Sequence, residues 1–166
     1  MSAAVLIGAI ALVAAFVDRG VADDTDAKSK SSARHTTEKL RGKVAWLEDA
    51  LERRYGVATE PAAAETSVVL EIPDGTVLPI VPDTRGRAFA VDGRLRGVEL
   101  ELLVRRYEKA PMIQVIRVLR PTEHGMVEID YWCDVCAIPM YILKPCECCQ
   151  GKTRLRERPV EEVFQP

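Results

Sequence analysis

Val98-Glu99-Leu100-Glu101-Leu102-Leu103-Val104-Arg105 alternates apolar and polar residues, with Leu103 the one departure. A period of two marks a strand with one face in a core and the other toward water. Toward the C-terminus, Glu108 to Pro111 forms a turn and Met112 to Leu119 returns, with Ile113, Val115, Ile116 and Val118 apolar. Pro121 to Gly125 makes the next turn, and Met126 to Trp132 a further strand. Toward the N-terminus, Val68 to Ile72 is a short β-rich run followed by Pro73-Asp74-Gly75. Proline fixes one φ in that turn and glycine supplies a positive one. Thr76 to Val81 is the return strand, which Pro79 confines to an edge or a bulge. Asp83 to Gly97 is rich in Arg and Gly, with a short helix expected near Arg87 to Val91. Roughly five strands and one weak helix predict a mainly β fold, a small antiparallel barrel of OB type over residues 67–130.

All five cysteines lie between residues 133 and 149. Cysteines scattered along a chain suggest a disulfide framework; a tight group suggests one local site. Cys133/Cys136 and Cys146/Cys149 are both C-x-x-C pairs. Each pair turns two sulfurs toward one ion, and two such knuckles joined by a hairpin make a tetrahedral cage with Zn–S near ~2.3 Å. Ile138 to Leu143 supplies the hairpin, and Lys144-Pro145 leads into the second knuckle. Cys148 also allows the set Cys133, Cys136, Cys146 and Cys148. Structural zinc is expected; iron is the other ion that four sulfurs suit. Disulfides are the alternative, at the cost of one unpaired thiol. Catalytic zinc would need an open position, and four or five sulfurs argue for a closed site. Neither pair is followed by His, which removes haem attachment.

The double pair resembles the zinc-ribbon or rubredoxin-like knuckles, over residues 131–151 only. The resemblance implies Cys133, Cys136, Cys146 and Cys149 as ligands of a structural metal. The usual interval between pairs is longer, and glycine often follows the second Cys of each knuckle. Here Ala137 follows the first, and Gln150 precedes Gly151 at the second. The whole tail is also similar to tails of uncharacterised bacterial envelope proteins, which implies no activity.

At the other end, Ser2 to Val17 is a run of sixteen uncharged, mostly apolar residues. A span needs about 20 residues and at least roughly 17, so residues 1–20 are expected to be a short transmembrane anchor, with a cleaved signal as the alternative. Arg19, Lys28, Lys30 and Arg34 follow the run and no Lys or Arg precedes it. The positive-inside rule then places the body in the cytoplasm, with the exported side left open. Residues 21–37 form a polar tether. Leu40, Val44, Leu47 and Leu51 are spaced 4-3-4, which predicts an amphipathic or coiled-coil helix over residues 38–56, weakened at Gly42 by about 1 kcal/mol and ended by Gly56. Residues 57–66 are a linker, and 131–166 the cysteine-knuckle unit and tail.

The chain's net charge of −2 gives no global field toward nucleic acid. Arg85 to Arg120 holds nine Lys or Arg against four acids. That excess is read as a solvated exterior with strand arginines paired to Glu99 and Glu101, because the aromatic interleaving of single-strand binders is sparse. Lys152, Arg154, Arg156 and Arg158 form one basic face of a closing strand. His35 and His124 are the two histidines, thin material for catalysis. Trp132 is expected as a lid over the metal. The features together predict a membrane-tethered, non-enzymatic binding or assembly protein with a protein partner or self-association. A thiol redox or metal-handling protein is the first alternative, and a single-stranded nucleic-acid binder the second.

Overall fold

The structure is a computed structural model that describes residues 33–60, 65 and 67–163. The strands are β1 (His35–Trp46), β2 (Val68–Glu71), β3 (Val77–Pro79), β4 (Glu99–Tyr107), β5 (Ile113–Thr122), β6 (Gly125–Cys133), β7 (Ile138–Met140) and β8 (Arg154–Pro159). The helices are α1 (Leu47–Tyr55), α2 (Thr84–Val91) and α3 (Val160–Val163), with a 3-10 turn at Gly93–Leu95. The strands form one mainly antiparallel sheet in the order β3-β2-β1-β4-β5-β6-β7, with β8 on β6. The path bends back on itself: Ile80, just past β3, makes a parallel bridge to Ile113 of β5, and Val81 N–H donates to Ile113 O at 2.9 Å.

The alternation in β4 does what a half-buried strand requires. Leu100, Leu102 and Val104 are fully buried. They meet Val44 and Leu70 from β1 and β2, Ile113 and Val115 from β5, and Phe89 from α2. Each such side chain contributes about 1.5–3 kcal/mol by leaving water. A bulge between β4 and β5 pairs Leu103 with Arg117 but Val104 with Val115. The extra residue, Ile116, reverses the parity of β5, so the core positions pass from Ile113 and Val115 to Val118.

The helix expected over 38–56 is a helix only from Leu47 to Tyr55; His35–Trp46 is a strand. Leu40 and Val44 therefore point into the sheet's core face and form no coiled-coil seam. The even spacing 40-42-44-46 wins because β1 pairs along its length with β4 and at its end with β2. Gly42 is essential to that choice. A Cβ there would collide with the carbonyl oxygen of Glu71, so the glycine that weakens a helix permits this close strand approach. His35 to Thr37, assigned to the tether from sequence, open β1. Gly56 does end α1: its φ is 66°, and its N–H and that of Val57 return to Glu52 O and Leu51 O. α1 packs on β1 and β2. It covers the outer face of β2, where Val69 is fully buried opposite the core side and Glu71 accepts from Arg53 and Arg54.

The turn at Pro73-Asp74-Gly75 forms as expected: Gly75 has φ 95° and Thr76 N–H donates to Asp74 Oδ1 at 2.8 Å. α2 begins at Thr84, earlier than expected, because Asp83 caps it by accepting from Gly86 N–H at 2.9 Å. No helix among the described residues is long and apolar enough to cross a membrane. The Ser2–Val17 run lies outside the described residues.

Candidate metal centre

β6 delivers the first knuckle. Ile129, Tyr131 and Cys133 share its core face, and β7 returns against it with Tyr131, Trp132 and Cys133 opposite Met140, Pro139 and Ile138. Between them, Cys133 to Ala137 makes one tight turn in which Ala137 N–H donates to Cys133 O at 2.9 Å. The second knuckle repeats the first. Gln150 N–H donates to Cys146 O at 2.9 Å. Ala137 and Gln150, each immediately after the second Cys of its pair, have φ of 52° and 58°. These are left-handed positions where glycine is unstrained and other residues are not. The departure from glycine seen in the sequence is thus a change of residue and not of backbone.

The four sulfurs of Cys133, Cys136, Cys146 and Cys149 all lie within 4.8 Å of one another. Cys133 Sγ and Cys149 Sγ are 3.5 Å apart, against about 3.8 Å for the edge of a tetrahedron with zinc–sulfur arms. This cluster can hold a metal ion: the donors are soft, four in number and converge on one point. Cys133 and Cys146 are buried, Cys136 is half-buried and Cys149 is at the surface. Cys148 is exposed and stands outside the set.

Backbone amides tune the sulfurs. The N–H groups of Cys149 and Cys148 donate to Cys146, whose thiol is lowered to about 7. The sulfurs of Cys149 and Cys148, together with burial, push the Cys136 thiol well up. At Cys133 the amide of Cys136 pulls downward, but burial and hydrogen bonds with the sulfurs of Cys146 and Cys149 outweigh it, and the thiol lies above its ordinary value. Amides that favour an anionic sulfur at Cys146 favour the thiolate form that a metal ion requires. Gly151 N–H adds a donor to Cys149 Sγ at 3.4 Å.

The surroundings fix both knuckles to β8. Arg154 grips Asp134, inside the first knuckle, with Nε–Oδ2 and Nη2–Oδ1 contacts of 3.0 Å each. Thr153 Oγ1 donates to Lys144 O at 2.8 Å, ahead of the second. Trp132 is not the expected lid. Its neighbour Cys133 takes the core face, so Trp132 faces the other way, where the Arg156 guanidinium sits 3.7 Å from its ring centre.

That opposite face carries groups the sequence reading did not single out. Asp130 is 1% exposed and takes a bidentate contact from Arg156 (2.9 and 2.7 Å), with Arg158 at 3.1 Å. Glu128, also buried, faces Arg117 and Arg158. The register Glu128↔Arg158, Asp130↔Arg156 explains the basic closing strand. Glu128-x-Asp130 against Arg156-x-Arg158 is a complementary pattern, visible once the two strands are paired antiparallel. On the core side Tyr131 OH donates to Asp92 Oδ2 at 2.9 Å. The Arg94 guanidinium holds Asp92 below the usual carboxylate range, and burial raises the Tyr131 phenol far above its own.

Among the other basic residues, Arg85 stacks on Tyr141, Arg96 on Trp46, Arg106 meets Glu38 and Arg120 meets Glu157. Glu101 pairs with Lys39 and Arg41 of β1. His124 is exposed beside Glu123 at the β5–β6 hairpin tip, and His35 packs edge-on against Tyr107. No protein-family model matches the chain, and no curated protein or solved structure matches it significantly.

Proposed function

We propose that the chain is a membrane-tethered binding or assembly protein without catalysis of its own, in which structural zinc fixes a contact surface beside an OB-type barrel. The observation that carries this reading is the convergence of four sulfurs on one point. An ion held by four thiolates has no position left for water or substrate. Zinc is the ion proposed; iron is the alternative for the same donors. The repeated knuckle turns support a zinc-ribbon or rubredoxin-like unit. The ring order β1-β2-β3-β5-β4, with α2 between β3 and β4, supports the OB-type barrel.

Val135, at the tip of the first knuckle, is 79% exposed. An apolar residue held outward by a metal-braced turn suits a protein partner or a second copy of the chain. Residues 2–17 provide the anchor in a bacterial-type envelope, and the Lys/Arg bias puts the body on the cytoplasmic side. A nucleic-acid role is the weaker reading, since α1 covers the outer face of β2 and many arginines have internal partners.

The test uses the full chain in membranes. Metal analysis is expected to give one zinc per chain, and cross-linking a stoichiometric complex that Val135→Asp weakens with zinc content unchanged. Absence of any complex overturns the binding role; absence of metal overturns the structural-zinc part. The exposed Cys148 favours one second reading, thiol redox or metal handling. Uniformly slow alkylation of all five thiols in the native protein overturns that one.

A further inference from the structure

We propose that the cleft between α1, β1 and β2 binds the phosphate monoester group of a small molecule, an inference that does not depend on the metal. The cleft has a volume of about 510 Å³, within the size range of small-ligand sites. Lys43, Arg53, Arg54 and Arg96 line it together with two carboxylates, Asp49 and Glu71. Four cations against two acids leave two positive charges. The grouping is not visible in any short stretch of sequence, because Lys43, the α1 arginines and Arg96 come from three separate segments.

Three of the four cations are already held in place. Glu71, whose side chain is 9% exposed, accepts from Arg53 Nη2 at 2.7 Å and from Arg54 Nε at 3.3 Å. One largely buried carboxylate thus orients two guanidiniums and neutralises only one. A guanidinium has five N–H donors, so both arginines, 53% and 40% exposed, keep donors for a ligand. Arg96 is half-buried and its partners carry no full charge: the carbonyls of Phe89 and Ala90 and the Trp46 ring, whose centre is 4.4 Å from the guanidinium carbon. Lys43 stands opposite Glu71 and Glu99 in register, yet neither Lys43 nor Arg96 forms an ion pair among the described residues. Positioned guanidiniums with positive charge to spare suit a tetrahedral oxyanion, whose several oxygens each accept from a fork of donors. A phosphate monoester carries about −1.5 to −2 at pH 7, whereas a phosphodiester carries a single charge. The monoester matches the excess in the cleft.

The experiment titrates the full chain carrying Trp132→Phe with glycerol 3-phosphate and with dihexanoyl phosphatidic acid. Trp46 is then the sole tryptophan, and its emission reports occupancy of the cleft. A saturable change is expected with at least one of the two compounds below ~10 mM. Tighter binding of glycerol 3-phosphate marks a free metabolite as the source of the phosphate, and tighter binding of the lipid a membrane headgroup; either result sustains the proposal. Arg53→Gln and Arg54→Gln are each expected to weaken binding at least ~10-fold. Asp49→Asn is expected to strengthen it ~3-fold, a gain that no folding defect produces. Arg85→Gln, at a guanidinium that stacks on Tyr141 outside the cleft, is expected to change nothing. No saturation with either compound, or unchanged affinity in Asp49→Asn and both α1 arginine variants, overturns the proposal. So does an oligonucleotide without a terminal phosphate that binds more tightly than both compounds and displaces them, since it assigns the cleft to phosphodiesters.

Discussion

The ring of strands β1 to β5 and the unit from Cys133 to β8 are held by different forces. The ring closes on aliphatic and aromatic side chains such as Val44, Leu70, Phe89, Leu102 and Ile113, each contributing a modest amount and none able to act alone. The C-terminal unit lends that same core only a few buried apolar groups, chiefly Met140 and Ile142. It relies on four sulfurs and a row of carboxylate–guanidinium pairs. A distributed core tolerates the loss of a member, whereas a site with four donors does not. The two regions should therefore fail separately.

If the cluster holds the proposed ion, the largest expected effect is from stripping it, by chelator or by Cys133→Ser. Structural zinc sites bind with a free energy on the order of 10 kcal/mol. Hydrogen exchange is expected to speed through residues 133–151 and β8 while Leu100 to Val104 stay protected. Uniform loss of protection would show one cooperative body. Next is Phe89→Ala, expected to cost about 3–5 kcal/mol by cavity formation and to lower Tm with zinc stoichiometry unchanged.

Asp130→Ala is smaller. It strips the acceptor from Arg156 and Arg158, whose side chains are 19% and 31% exposed and can turn partly to water. A cost of about 1–3 kcal/mol follows, read by urea unfolding, with β8 losing protection first. Ala137→Gly and Gln150→Gly act in the opposite direction. Relief of the left-handed strain is expected to stabilise the zinc-loaded protein by about 0.5–1 kcal/mol each, visible as a raised Tm.

The finest test is a proton count. The Cys146 thiol lies at about 7 in the metal-free cluster, below its ordinary 9.0. A lowered pKa contributes stability that is present above 9.0 and lost as pH falls through about 7. A metal ion must displace whatever protons remain, so Cys146 should release fewer protons on metal binding at pH 8 than at pH 6. Calorimetry in buffers of different ionisation enthalpy measures the difference, and a pH-independent contribution would place the Cys146 thiol elsewhere.

The same contrast decides what the sequence disclosed. Strand β4 was legible because Leu100, Leu102 and Val104 record the two faces of one sheet in their spacing. The knuckles were legible because their geometry is local: each C-x-x-C fixes its own turn. β1 was not, since Leu40 and Val44 fit a heptad seam as well as a strand, and only the Glu71 carbonyl, distant in sequence, makes Gly42 a strand residue. The Asp130 and Glu128 pairs were hidden for a related reason. Their partners on β8 depend on a register that no short window contains. Trp132 was misplaced because adjacency to Cys133 in a strand puts a side chain on the opposite face.

The closeness of the four donor cysteines along the chain has a kinetic consequence. The two knuckles need only a short loop between them to close, whereas β1 must find β4 across pairs as distant as His35 and Tyr107. Loop closure is faster and entropically cheaper over short separations. Supplied with zinc, the C-terminal segment can capture its ion while the ring is still searching for register. When the full-length unfolded chain is refolded with the ion present, folding would then proceed from an already organised tail onto β6.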